Sequence, residues 1–144
     1  MLKGIDPLIA PDLLRVLAAM GHGDEIVIAD ANFPAASVAR HTVTGTPLRI
    51  DCDAIRALRA VLSLLPVDTF LPDPVLTMQV VDEPDAVPEV VAQSLPILAA
   101  EGVRPASLER FAFYERARQA FAVLHCAETR IYANFIIRKG VIAG

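Results

Sequence analysis

Residues 25–29 read Glu-Ile-Val-Ile-Ala, which after Glu25 is an unbroken apolar and mostly β-branched run up to Asp30. A strand without a polar face suits a sheet covered on both sides, the environment found in layered α/β proteins. The rest of the chain supplies candidate covers. In "PDLLRVLAAMG", Leu13, Val16, Leu17 and Met20 recur at helical spacing, with Pro11 in the first turn and Gly21 as the stop. In "DAIRALRAVLSLLP", Ile55, Leu58, Leu62 and Leu65 mark one helix face before Pro66. "PLRID" (47–51) and "PVLTMQVV" (74–81) read as further strands, and "PEVVAQSLPILAAEG" (88–102) as a helix that Pro96 should kink or split. "ERFAFYERARQAFAVL" starts as a helix and passes into a strand around Phe121–Cys126; "RIYANFIIRKGVIAG" is a closing strand or hairpin. This alternation predicts an α/β fold, a three-layer α/β/α sandwich with a mixed central sheet. No repeat or low-complexity linker marks a boundary, so residues 1–144 form a single domain.

Composition narrows the function classes. Hydrophobic residues make up 54% of the chain and charged ones 21%, more apolar than a solvated monomer of this size needs. No uncharged run reaches the ~18 residues of a membrane-spanning helix. The surplus therefore points to a buried subunit interface, hence a homo-oligomer. A formal charge of −4, with no basic stripe interleaved with aromatics, argues against nucleic acid. The opening "MLKGIDPLIAPDLL" lacks the basic-then-apolar build of a secretion signal. Cys52 and Cys126 lie far apart without CxxC spacing, which suits reduced thiols in a cytoplasmic protein.

Several residues stand out chemically. His22 lies between Gly21 and Gly23, where the backbone turns freely and a ligand approaches closely. An imidazole titrates near 6.5 and so both gives and takes protons at neutral pH. The plainer reading is a helix-stop loop with an incidental histidine. Asp30 ends an apolar strand, where a ligand-facing acid belongs in an open α/β sheet, but "DANFP" also reads as a turn. An extended 25–30 segment puts Asp30 on the order of 17 Å beyond Glu25. His22 and Asp30 then share a site only if the loop folds back or a neighbouring subunit brings them together. In "YAN", strand periodicity puts Tyr132 and Asn134 on one face, flanking the exposed backbone of Ala133, a set suited to a polyhydroxylated ligand or simply to a half-buried strand. Arg110 reads as an ordinary helix charge, and His41 and His125 as background. A metal site from His22, Asp24 and Asp30 lacks a recognisable ligand pattern, and "GHGDE" precedes a strand, the wrong order for a phosphate cradle.

Taken together, "MLKGIDPLIAPDLLRVLAAMGHGDEIVIADANFPA", "ERFAFYERA" and "YANFIIRKGVI" resemble the ribose pyranase / fucose mutarotase family, in order and over nearly the whole chain. The fucose branch is the more similar. The resemblance implies a cytoplasmic α/β protein assembled as a homodecamer, with sites at subunit boundaries. It implies interconversion of the anomers of a free sugar, L-fucose first, with no metal or organic cofactor. By the same likeness His22 takes the place of the catalytic proton donor, Asp30 that of a sugar-binding acid, and Tyr132, Ala133 and Asn134 that of the C-terminal sugar-binding triplet. Arg110 matches the arginine of the fucose branch, where ribose pyranases tend to carry histidine; Ala133 stands where that branch often has glycine. The alternatives are a ribose-type pyranase and a non-catalytic sugar-binding ring.

Overall fold

The computed structural model describes residues 1–144. In chain order the elements are α1 (Pro11–Ala19), β1 (Glu25–Ala29), α2 (Ala35–Ala39), β2 (Leu48–Ile50), α3 (Ala54–Leu62), β3 (Val75–Met78), α4 (Glu89–Ala100), β4 (Ala106–Leu108), α5 (Arg110–Arg118), β5 (Ala122–Cys126) and β6 (Phe135–Arg138). One six-stranded sheet runs in the order β2-β5-β1-β6-β3-β4. β1 pairs parallel with β5, as do β2 with β5 and β3 with β4; β6 alone is antiparallel, to both β1 and β3. The sheet is therefore mixed, and five strands share one carboxyl end.

β1 is covered on both faces, as its composition requires. Ile26 and Ile28 join a core with α1, α3 and α4, through Leu13, Val16, Leu58, Val90 and Leu98. Val27 and Ala29 join the opposite core with α2 and α5, through Val38, Phe113 and Ala117. This is the three-layer α/β/α sandwich. Each buried aliphatic side chain contributes about 1.5–3 kcal/mol relative to exposure, and the alternation along β1 locks its register, since a one-residue slip would exchange the two cores.

Three local expectations change. Pro96 neither splits nor ends α4, which runs unbroken from Glu89 to Ala100. Pro96 and Ala92 both face solvent, so the Ala92 carbonyl that loses its helical donor is left to water. The short helix α2 and the edge strand β4 carry too few residues for periodicity to reveal them. Finally, Tyr132 lies in a turn before β6 rather than on the strand, with φ +58°.

Gly140 follows β6 at a close crossing. A Cβ there would lie 2.7 Å from the Val67 carbonyl oxygen, and the Gly140 N–H donates to the Pro66 carbonyl. Only glycine lets the end of β6 press against the 66–72 loop, which carries Asp68.

Candidate functional site

The carboxyl end of β1 sits beside the antiparallel β6, near where the strand order changes direction, the usual place for a ligand in an open α/β sheet. Asp30 lies there and is 3% exposed. Its Oδ1 accepts the Asn32 N–H at 3.0 Å; its Oδ2 accepts the Ala133 N–H at 3.2 Å and the Asn134 side-chain amide at 3.1 Å. The Asp30 N–H in turn donates to Asn134 Oδ1 at 2.8 Å. Burial pushes the Asp30 carboxyl above its ordinary range, while the N–H groups of Ala133, Asn32 and Asn134 pull against that rise. Asp30 thus clamps the turn that presents Tyr132 and Asn134.

Asp30, Arg110, Tyr132 and Asn134 line one pocket of about 200 Å³, with Phe33, Met78 and Tyr114 among its apolar walls. That volume falls below the range of drug-sized ligands and suits a single small molecule. Arg110 begins α5, whose N-terminus is capped by Glu109: Glu109 Oε2 accepts the N–H of Phe111 at 2.9 Å and of Ala112 at 3.1 Å. The Arg110 guanidinium lies over the Phe111 ring at 4.6 Å, and its Nε is buried without a hydrogen-bond partner. A buried charged donor without an acceptor is costly, so the single chain leaves Arg110 incompletely satisfied. The Tyr132 hydroxyl accepts the Val81 N–H at 3.3 Å, which leaves its own hydrogen for a ligand.

Ala133 is fully buried, not an exposed backbone edge, and its N–H is committed to Asp30. It shapes the turn without lining the pocket. The left-handed backbone of Tyr132 is uncommon for a bulky residue and held by its surroundings. Glu128 and Arg130 anchor the segment that leads into the turn. Glu128 accepts Arg130 Nε and Nη2 at 2.9 and 2.8 Å and the Ala54 N–H at 3.2 Å. Arg130 reaches on to Glu89 and Gln93 of α4.

His22 is elsewhere, before β1 and at the opposite end of the sheet from Asp30. Its Nε2 lies 3.3 Å from Asp68 Oδ1, its ring meets Phe70 edge-on at 5.3 Å, and its side chain is 42% exposed. Asp68 is nearly inaccessible and pairs through Oδ2 with Arg138 Nε at 2.7 Å. Asp24 is turned to the Gly21 N–H and does not join His22 and Asp30. The structure therefore gathers Asp30, Arg110, Tyr132 and Asn134, and leaves His22 apart. Sequence reading missed Asp68, Arg138, Glu128 and Arg130. Nothing in their spacing distinguishes them from surface charges; Arg138 closes an otherwise apolar strand beside Lys139, where a charged end is ordinary.

These carboxylates carry a pH dependence. Asp68 is held at about 2, first by the Phe70 N–H and then by Arg138 and His22, against its burial; Glu128 is held at about 2, chiefly by Arg130. Both values are depressed on folding, so their stabilisation is present above the unfolded-chain values near ~4 and is lost as pH falls from there toward ~2. Asp30, shifted up, acts in the opposite sense. Urea unfolding at pH 6, 4 and 2.5 is expected to show a falling midpoint across that window. Glu128→Gln should make the fall shallower; an unchanged slope in that variant would remove Glu128 from the account.

Comparison with known proteins shows what the chain is similar to. The chain is 46% identical over 150 residues to a human protein named fucose mutarotase, covering 99% of this chain and 95% of that one. It is 47% identical over 146 residues to the L-fucose mutarotase of Histophilus somni, covering 98% and 97%. The crystal structure of the fucose mutarotase from Streptococcus pneumoniae in complex with L-fucose matches with a TM-score of 0.84 at 37% identity, over 99% of this chain and 100% of that one. The RbsD / FucU transport protein family model matches residues 3–142. Identity of this extent along the whole chain, on the same three-layer fold, means that the chain belongs to the RbsD / FucU family.

Proposed function

We propose that this protein is an L-fucose mutarotase, an isomerase that interconverts the α and β anomers of the free sugar. The observation that carries the reading is the convergence of Asp30, Arg110, Tyr132 and Asn134 on one small pocket, with the Arg110 Nε still lacking an acceptor. The full-length likeness to proteins named fucose mutarotase supports the same sugar.

Mutarotation breaks the bond between the anomeric carbon and the ring oxygen. A base takes the proton of the anomeric hydroxyl, that oxygen becomes the aldehyde carbonyl, and an acid protonates the departing ring oxygen. Rotation of the aldehyde and the reverse proton transfers close the ring on its other face. The reaction is neutral overall and needs a group able to work in both directions, which suits the imidazole of His22. Arg110, Asn134 and the Asp30-clamped turn hold the sugar hydroxyls, and the Tyr132 hydroxyl serves as the second proton relay.

His22 lies too far along β1 to reach a monosaccharide in its own chain's pocket. Exposed apolar side chains flank both places: Phe70 and Leu71 near His22, Phe111 and Ile131 around the pocket. Joining these patches between copies buries them and brings the imidazole of one subunit to the pocket of the next. We take the assembly to be a homodecamer with the site at the subunit boundary. A cytoplasmic setting suits the two unpaired thiols, Cys52 and Cys126, and no helix is long and apolar enough to cross a membrane.

NMR saturation transfer between anomers, run with L-fucose, D-ribose and D-galactose, tests the substrate. Exchange of L-fucose is expected to accelerate most. Acceleration of D-ribose without L-fucose would make the protein a ribose-type pyranase, and acceleration of none would leave a sugar-binding ring.

A further inference from the structure

Between β3 and α4 the chain forms a strap, residues 79–88, whose positions 81–87 all face solvent. It starts firmly: the Gln79 N–H donates to the Leu108 carbonyl at 2.8 Å, and the Gln79 side chain reaches Ser107 Oγ at 3.2 Å. A tight turn follows, closed by the Glu83 N–H on the Val80 carbonyl at 3.1 Å, with Asp82 at φ +62°. Beneath the strap lies a hollow of about 250 Å³, bounded by Pro84 and Val87 above and by Val91, Leu95 and Arg104 below. Side chains do not fill the space under the strap, so its position depends on its two ends and on what it touches. What it touches is the sugar pocket: the Val81 N–H donates to the Tyr132 hydroxyl.

The far end of the strap runs into α4, and there Arg130 takes hold. Its Nη1 donates to Glu89 Oε1 at 3.2 Å and to Gln93 Oε1 at 3.0 Å, one helical turn apart. An exposed ion pair of this kind usually contributes little, because two mobile side chains must be ordered together. Here the guanidinium is ordered beforehand. Nε and Nη2 form a two-pronged contact with the carboxylate of Glu128, which is 3% exposed and also accepts the Arg130 and Ala54 N–H groups. The Glu128 carbonyl in turn accepts the Ala31 N–H at 2.8 Å, next to Asp30. Arg130 does not line the sugar pocket, yet it stands two residues before Tyr132. A closed circuit results: Arg130, the start of α4, the strap, the Tyr132 hydroxyl, and back along the chain to Arg130.

We propose that Arg130 is a positioning residue: by tying the start of α4 to the segment that carries Tyr132, it fixes the strap whose Val81 N–H aims the Tyr132 hydroxyl into the pocket. The assignment deepens the mutarotase reading and rests on it for its catalytic meaning. A phenol oxygen that accepts a fixed N–H keeps its single hydrogen for another partner, and the N–H sets where that hydrogen points. Without the tether, the strap carries Val81 away over the hollow and the hydroxyl turns freely.

The test cuts the tether at α4 and leaves the buried Glu128–Arg130 pair whole. Glu89→Ala combined with Gln93→Ala changes two exposed positions, so the unfolding midpoint in urea is expected to stay near wild type. The chain has two tyrosines, which ¹³C labelling at Cζ resolves in the intact assembly, and Tyr132→Phe identifies the signals. In the double variant the Tyr132 signal is expected to broaden and move toward that of a water-exposed tyrosine, with the Tyr114 signal unmoved. Turnover of L-fucose anomer exchange should fall by about 3–10-fold. Glu89→Gln alone, which keeps an acceptor for Nη1, should match wild type in both readings. The proposal is overturned if the Tyr132 signal of the double variant matches that of wild type. It is equally overturned if the wild type turns over and the variant keeps its rate, or if both tyrosine signals move together with a large loss of stability. If the wild-type protein accelerates no sugar, the mutarotase reading fails, and the tyrosine spectrum still decides whether Arg130 sets the hydroxyl.

Discussion

His22→Ala is expected to slow L-fucose anomer exchange by about 10²–10⁴-fold, the usual worth of a positioned acid/base group, while sugar affinity and the fold stay close to wild type. The truncation leaves no buried group stranded: Asp68 keeps its bonds to Arg138 and the Phe70 N–H, and the lost ring is 42% exposed. The pocket residues stand at the far end of β1 and keep their own bonds. Saturation transfer reads the rate, titration calorimetry the affinity, and urea unfolding the stability. Unchanged exchange would remove His22 from the chemistry; a collapse in affinity with unchanged turnover would make it a binding group. Arg110→Ala should instead weaken binding, because it removes the one cationic side chain that lines the pocket. If the site is shared between neighbours, each pure variant is nearly inactive. Oligomers co-assembled from the two variants then recover part of the exchange rate, since some boundaries join an intact His22 to an intact Arg110. No recovery on co-assembly would place both groups in the same chain's site.

The layered fold was legible because burial on both faces of β1 leaves a direct trace in residues 26–29, and α1 and α3 repeat their apolar residues at helical spacing. The α2 and β4 segments were not, since a helix of 5 residues and a strand of 3 are shaped by what they pack against rather than by periodicity. At the site, Asp30 was found from its place after an apolar strand. Tyr132 and Asn134 were paired for the wrong local reason, a shared strand face, and yet they line the same pocket. A left-handed turn held by Asp30 performs the convergence. That turn depends on contacts across roughly 100 positions of chain, which no local pattern records. Asp68 was invisible for the same reason: an acid becomes a partner of His22 and Arg138 only when the ends of β1 and β6 are brought together.

Asp30→Ala is expected to give the largest loss of stability among the pocket variants and to abolish measurable sugar binding. The carboxylate satisfies three donors, from Asn32, Ala133 and Asn134. Ala133 and Asn134 are almost inaccessible, 0% and 3% exposed, so water does not replace the lost acceptor without opening the turn. Leaving a buried donor unpaired costs about 1–3 kcal/mol, and two such donors take a large part of a stability that is ~5–15 kcal/mol in ordinary domains. Relief of the buried charge works the other way, since burial raises the Asp30 carboxyl, but alanine supplies nothing for the stranded N–H groups. Asp30→Asn separates the two effects. It removes the charge and keeps one acceptor oxygen, while its amide must face either the Asn32 N–H or the Ala133 and Asn134 donors. Its unfolding midpoint should therefore fall between those of wild type and Asp30→Ala, with affinity reduced because Tyr132 and Asn134 lose their fixed places. If Asp30→Ala keeps the wild-type midpoint and loses only affinity, Asp30 is a direct sugar ligand and the turn is held by other means. If it loses stability and Asp30→Asn restores both stability and affinity, the clamp needs an acceptor but not a charge, and the negative charge of Asp30 has no part in holding the sugar.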